Sequence, residues 1–171
     1  ERWTTPDDDF IDADWLVHDA PAQAPIVVLL HGLEGSTHSH YAQAFAQMAL
    51  VRRWQLVVPH FRGCSGEINR QARAYHSGDW PEIDWMLQQV SARHLGPVFA
   101  VGVSLGGNAL MRWAGELGVV AAQRVHAVAS ICSPLDLVAS GQALGQGVNR
   151  WIYTPMFLQT MKPKAQAKWQ Q

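Results

Sequence analysis

The chain has 171 residues, enough for one domain with a sizeable core. Its 14 acidic and 13 basic side chains leave a formal charge of −1 with no basic stripe, which argues against a nucleic-acid partner. Hydrophobic residues at 48% and charged residues at 16% make an ordinary globular mix, and the longest apolar run, Ile26 to Leu30, is far too short to span a bilayer.

Residues 3–20 read as a hairpin, with Asp7-Asp8-Asp9 between Trp3-Thr4-Thr5 and the alternating segment Phe10 to Trp15. Pro25 opens Ile26-Val27-Val28-Leu29-Leu30, the pattern of a strand buried on both faces, which ends in His31-Gly32. Tyr41, Phe45, Met48 and Ala49 fall at helical spacing and predict a helix over 38–52. A second strand, Gln55 to Val58, is closed by Pro59, and a loop rich in Gly and Arg follows from His60 to Gly78. Asp79 with Glu82 gives a capping-box signal for a helix carrying Ile83, Met86, Leu87 and Val90. Val98 to Val103 is the third run, Leu110, Trp113, Ala114 and Leu117 form a helix face stopped by Gly118, and Val125 to Cys132 is the fourth run.

This β-α-β-α-β-α-β order predicts an α/β fold: a mostly parallel sheet with helices on both faces behind an N-terminal hairpin. After residue 140 the character changes. Thr154-Pro155 reads as the N-cap and first position of an amphipathic helix, and Pro163 as its end. The chain therefore divides into a core, 1–144, and the start of a helical segment, 145–171. The 8 Trp suggest large buried contacts or a wide apolar pocket, core packing being the simpler account.

The chemistry-bearing stretch is Gly102-Val103-Ser104-Leu105-Gly106. It matches G-x-S-x-G and has a strand before it and a helix after it, the context a nucleophilic serine needs. The glycines let neighbouring backbone approach a strained turn. A serine hydroxyl also needs a base and a site for the oxyanion. The expected oxyanion donors are two backbone amides: Leu105, following the serine, and Leu33, just after the first parallel strand.

Other candidates carry less. His31, His38 and His40 have no carboxylate or cysteine at ligand spacing, so no metal is expected, and no cofactor. Arg62, Asn69, Arg70, Arg73, Tyr75 and His76 could bind an anionic group, but such a loop more often ties its own backbone together. Cys64 and Cys132 are too few for a disulfide scaffold and read as reduced thiols of a cytoplasmic protein. The first residues, acidic and polar, give no sign of a secretory signal.

Several motifs recur in order: His31-Gly-Leu-Glu-Gly-Ser36, Phe61-Arg-Gly-Cys-Ser-Gly66, Asn69-Arg70, Tyr75-His-Ser-Gly-Asp79, Gly102 to Asn108, Ser133-Pro134 with Asp136-Leu137, and Asn149-Arg150 with Ile152-Tyr153. Over nearly the whole chain they resemble the YheT-like branch of the α/β-hydrolase superfamily, carboxylesterases. Asp8, where such hairpins more often carry Gly, and Pro155, inside an expected helix, depart from the pattern.

The resemblance implies a Ser-Asp-His triad, acyl transfer on a small-molecule ester, and helices capping the site. The triad runs Ser, acid, His in chain order. Only His126 follows Ser104, and between them lies only Glu116, on the helix after the serine. Asp136 has no histidine after it and reads as a helix cap. The triad acid and histidine are thus expected beyond Gln171, with this fragment alone inactive. A same-fold alternative, Asp as the nucleophile, is disfavoured by serine at 104. A different-class alternative is a non-catalytic α/β domain that binds an acyl ligand or a protein partner. Acyl chain length and oligomeric state are not encoded in a readable way.

Overall fold

The computed structural model describes residues 1–170. Six strands, β1 (Arg2–Thr4), β2 (Phe10–Trp15), β3 (Ile26–Leu30), β4 (Gln55–Pro59), β5 (Val98–Val103) and β6 (Ala127–Ile131), join in the order β1-β2-β4-β3-β5-β6. The hairpin pairs antiparallel with itself and with β4, while β4, β3, β5 and β6 run parallel. Asp8 takes φ 62 at the hairpin turn, the left-handed conformation that glycine enters most easily.

The side-chain alternation of β3 explains why its apolar run is continuous. Ile26, Val28 and Leu30 join one core cluster and Val27 and Leu29 the other, so both faces need apolar residues. Helix α1 (His40–Arg52) covers the second face through Ala42 and Ala49. Helices α2 (Trp80–Ser91) and α3 (Leu105–Leu117) cover the first through Ile83, Met86, Leu87, Leu110 and Trp113. The chain leaves β3 toward β4 on one side and returns to β5 on the other. Such a reversal of strand order is where open α/β sheets place their ligands, at the carboxyl ends of the strands.

Three expectations need correction. Asp79 precedes α2, but its side chain makes no cap bond; it accepts two bonds from Arg73 (2.6 and 2.8 Å), while Glu82 accepts one from Arg62, so no capping box forms. The fourth apolar run is a strand, yet all five residues of β6 are exposed; among the described residues it pairs with β5 alone. The third concerns the C-terminal helices.

Pro134–Gln171 form a separate compact unit. It contains α4 (Leu137–Leu144), capped by Asp136 accepting the Ala139 amide at 2.9 Å, and α5 (Gly147–Trp169). Helix α5 begins after Gln146 and runs through both Pro155 and Pro163. Thr154 is therefore no N-cap; its hydroxyl donates to the Leu144 carbonyl at 2.8 Å. No residue of α5 is buried, so water can solvate the carbonyls that each proline leaves without a donor.

Candidate active site

Ser104 stands at the junction of β5 and α3 with φ 51 and ψ −117. Its amide donates to Ile131 O (2.8 Å) and its carbonyl accepts from Asn108 N (3.0 Å), which fixes the backbone from both sides. Its half-buried hydroxyl has no hydrogen-bond partner among the described residues.

The glycines around it are required by close approach. A Cβ at 102 would lie 2.5 Å from Gly107 Cα. One at 106 would meet Leu30 O and, at 2.5 Å, His31 O. One at 107 would collide with Ser133 Oγ and lie 2.7 Å from Gly102 O. The start of α3 is thereby seated directly on the carboxyl end of β3.

The turn after β3 meets the serine from the other side. A Cβ at Gly32 would be 3.3 Å from Ser104 Cβ. Gly35 N donates to Gly32 O (3.0 Å), closing a four-residue turn. Within it, Gly32 N donates to the Tyr41 hydroxyl (2.9 Å) and Glu34 N to the Tyr75 hydroxyl (2.9 Å). Between them the Leu33 amide has no hydrogen-bond partner among the described residues, and neither has the Leu105 amide. The structure therefore brings a bare serine hydroxyl and two unclaimed N–H groups to adjoining turns. A nucleophile beside preorganised donors is the arrangement acyl transfer uses.

No imidazole is hydrogen-bonded to that hydroxyl among the described residues. His31 ends β3, but its Nδ1 is 2.7 Å from Gly32 O and its Nε2 accepts the Phe61 amide at 3.0 Å. Those bonds define a neutral ring protonated on Nδ1, with both nitrogens occupied. His126 lies before β6, at the opposite end of the sheet, where its Nδ1 accepts Val98 N (3.3 Å). His60 Nε2 pairs with Asp14 Oδ2 at 2.8 Å and lines a cavity of about 510 Å³ beside the hairpin, with Arg2, Asp12, Ser36 and Cys64. Ser104 does not line that cavity. Glu116 pairs with Arg112 on α3, and Asp136 caps α4.

The polar loop ties itself to the hairpin. Arg62, whose side chain is 2% exposed, donates to Glu82 (2.6 Å), Asp9 (2.8 Å) and Asp7 (2.8 and 3.0 Å). Asp9 also accepts from Asn69 Nδ2 (2.6 Å) and the amides of Arg70 (2.8 Å) and Gln71 (3.2 Å). Burial alone would raise the Asp9 pKa, but these bonds carry it down to about 2. Burial pushes Glu82 above its ordinary range, with Arg62 opposing the rise. Tyr41 and Tyr75, which hold the turn after β3, were not singled out by sequence for that role; their signal was only an aromatic on a helix face and a tyrosine in a polar loop.

The chain matches the family model described as alpha/beta hydrolase fold over residues 25–165. It is 40% identical over 171 residues to "Putative esterase YheT" of Escherichia coli (strain K12), covering 98% of this chain and 49% of that protein. It is 34% identical over 127 residues to the "Medium-chain fatty acid ethyl ester synthase/esterase 2" of Saccharomyces cerevisiae, covering 71% of this chain and 27% of the relative. The chain thus spans about half or less of the length of these curated relatives. Among solved structures, a serine hydrolase without lid from Xanthomonas campestris superposes with a TM-score of 0.61 at 18% identity, covering 80% of this chain and 62% of that one. Mouse alpha/beta hydrolase domain-containing protein 10 gives 0.63 at 16% identity, with 91% and 58% covered. At such identities these two likenesses bear on the fold alone.

Proposed function

Because the chain belongs to the α/β-hydrolase fold family, we propose that it is the nucleophile-bearing part of a serine carboxylesterase, with Ser104 attacking the ester. The observation that carries this reading is the left-handed backbone at Ser104, with its unbonded hydroxyl against the turn of Gly32. Its similarity to the E. coli and yeast relatives, both named as esterases, supports it.

In this mechanism Ser104 Oγ bonds to the acyl carbon as its proton passes to a histidine. The carbonyl oxygen becomes an oxyanion and is held by the N–H groups of Leu33 and Leu105. The imidazolium returns the proton to the departing alkoxide as the C–O bond breaks. Water, deprotonated by the same histidine, then releases the acid from the acyl-enzyme. The ring nitrogens of His31 are occupied, so the histidine and its acid are assigned, as part of this proposal, to residues outside 1–171. The substrate is a small-molecule ester with an apolar acyl group, residues 145–171 begin a cap, and the location is cytoplasmic.

A fluorophosphonate probe tests the proposal on the full natural protein. The wild type is expected to label at Ser104 and to hydrolyse p-nitrophenyl esters, and Ser104→Ala to do neither. The 171-residue chain alone is expected to turn over no faster than that variant. Absence of Ser104-dependent labelling in the full protein would favour a non-catalytic binding domain instead.

A further inference from the structure

Glu34 occupies a costly position. It is the third residue of the turn closed by Gly35 N and Gly32 O, with φ 54, a conformation that glycine or asparagine enters more easily. At Glu34 a partner holds the charged side chain in that conformation. The Tyr75 hydroxyl does so twice: it accepts the Glu34 amide (2.9 Å) and donates to Glu34 Oε1. Tyr75 is itself fixed, its ring stacked on Phe61 at 5.3 Å and 12°.

On the other flank the Tyr41 hydroxyl accepts the Gly32 amide, and Gly35 lacks the Cβ that would lie 2.5 Å from that hydroxyl. Two phenols from different parts of the chain thus claim the amides either side of Leu33. A free four-residue turn can rock its central peptide, and these bonds remove that freedom.

We infer that Tyr75 and Glu34 are positioning residues that latch the turn after β3 so that the Leu33 amide stays oriented toward the oxyanion. This rests on the reading of Ser104 as nucleophile. Tyr75 acts as a neutral hydroxyl: it donates to the Glu34 carboxylate, and burial pushes its pKa up. It is therefore not the base. The latch acts on the transition state, where oxyanion charge develops, and leaves ground-state binding alone.

The test uses Tyr75→Phe, which keeps the stack on Phe61, and Glu34→Gly, which removes the carboxylate but suits the left-handed φ. In the full natural protein, p-nitrophenyl acetate kinetics are expected to show kcat lowered roughly 10- to 100-fold in each, less than the loss of an oxyanion donor outright. KM should stay within about twofold, and Glu34→Gly should melt no lower than wild type. Wild-type kcat in both variants, alongside Ser104-dependent turnover by the parent, overturns the latch and leaves the esterase reading standing. A lowered kcat in Glu34→Gly accompanied by a lowered melting point overturns it too, since the loss is then structural. Absence of Ser104-dependent turnover in the parent removes both readings.

Discussion

Arg62 and Ser104 sit at the centres of two polar clusters in the unit formed by residues 1–133, and the clusters differ in what remains unclaimed. Around Arg62 the donors are engaged: the guanidinium contacts Asp7, Asp9 and Glu82, and Asp9 gathers Asn69 and the amides of Phe10, Arg70 and Gln71. Of the carboxylates on Arg62, only Glu82 has a buried oxygen, Oε2, without a hydrogen bond among the described residues. Around Ser104 the surroundings are equally ordered, yet the hydroxyl and the amides of Leu33 and Leu105 are left open. The backbone there is also strained, at Glu34 and at Ser104 itself. Polar density alone does not mark a reactive site. Under the role proposed for Ser104, free donors beside an ordered frame do.

Arg62→Met should break the comparison most visibly if it is wrong. It leaves Asp9 and Glu82 buried without their cation, so unfolding in urea should show a loss of about 3–5 kcal/mol. In the full natural protein, the ester turnover proposed for it should hold per folded molecule. A loss below about 1 kcal/mol would mean that the cluster is not structural.

The pH response of the same cluster is the next effect in size. The Asp9 pKa falls from 3.8 to about 2 on folding, and a depressed carboxylate contributes stability that is present above pH 4 and lost as pH falls toward 2. At roughly 1.4 kcal/mol per pH unit, that is at most about 2.5 kcal/mol. Glu82, raised by burial, runs the other way: its contribution is present at low pH and lost as pH climbs past 4.5. A carbon-detected NMR titration placing the Asp9 midpoint near 3.8 would contradict the engagement described for it.

How far these clusters could be read from sequence follows from the range of their contacts. The buried run Ile26 to Leu30, the helix after Ser104 and the glycines packed at its start are local patterns, and period and spacing expose them. The partners of Arg62 lie 20 to 55 positions away, so the loop showed only as polar. Tyr75 reaches Glu34 across 41 positions, and nothing near Glu34 announces a left-handed residue. The capping-box signal failed because arginines, Arg73 six positions before Asp79 and Arg62 twenty before Glu82, offered these carboxylates charged partners stronger than the helix amides. Exposure of β6 depends on what packs over its faces, which apolar composition does not encode.

The smallest expected effect sharpens the contrast most, because its sign is reversed. At an ordinary ordered position glycine is less stable than alanine by roughly 0.5–1 kcal/mol, through the greater freedom of the unfolded chain. At Ser104, φ 51 and ψ −117 strain any residue that carries a Cβ. Ser104→Gly should therefore match Ser104→Ala in unfolding free energy or exceed it by up to about 1 kcal/mol. Neither should take the fluorophosphonate. If glycine is instead the weaker of the two by the ordinary margin, the turn stores no strain, and the serine is held there by packing alone.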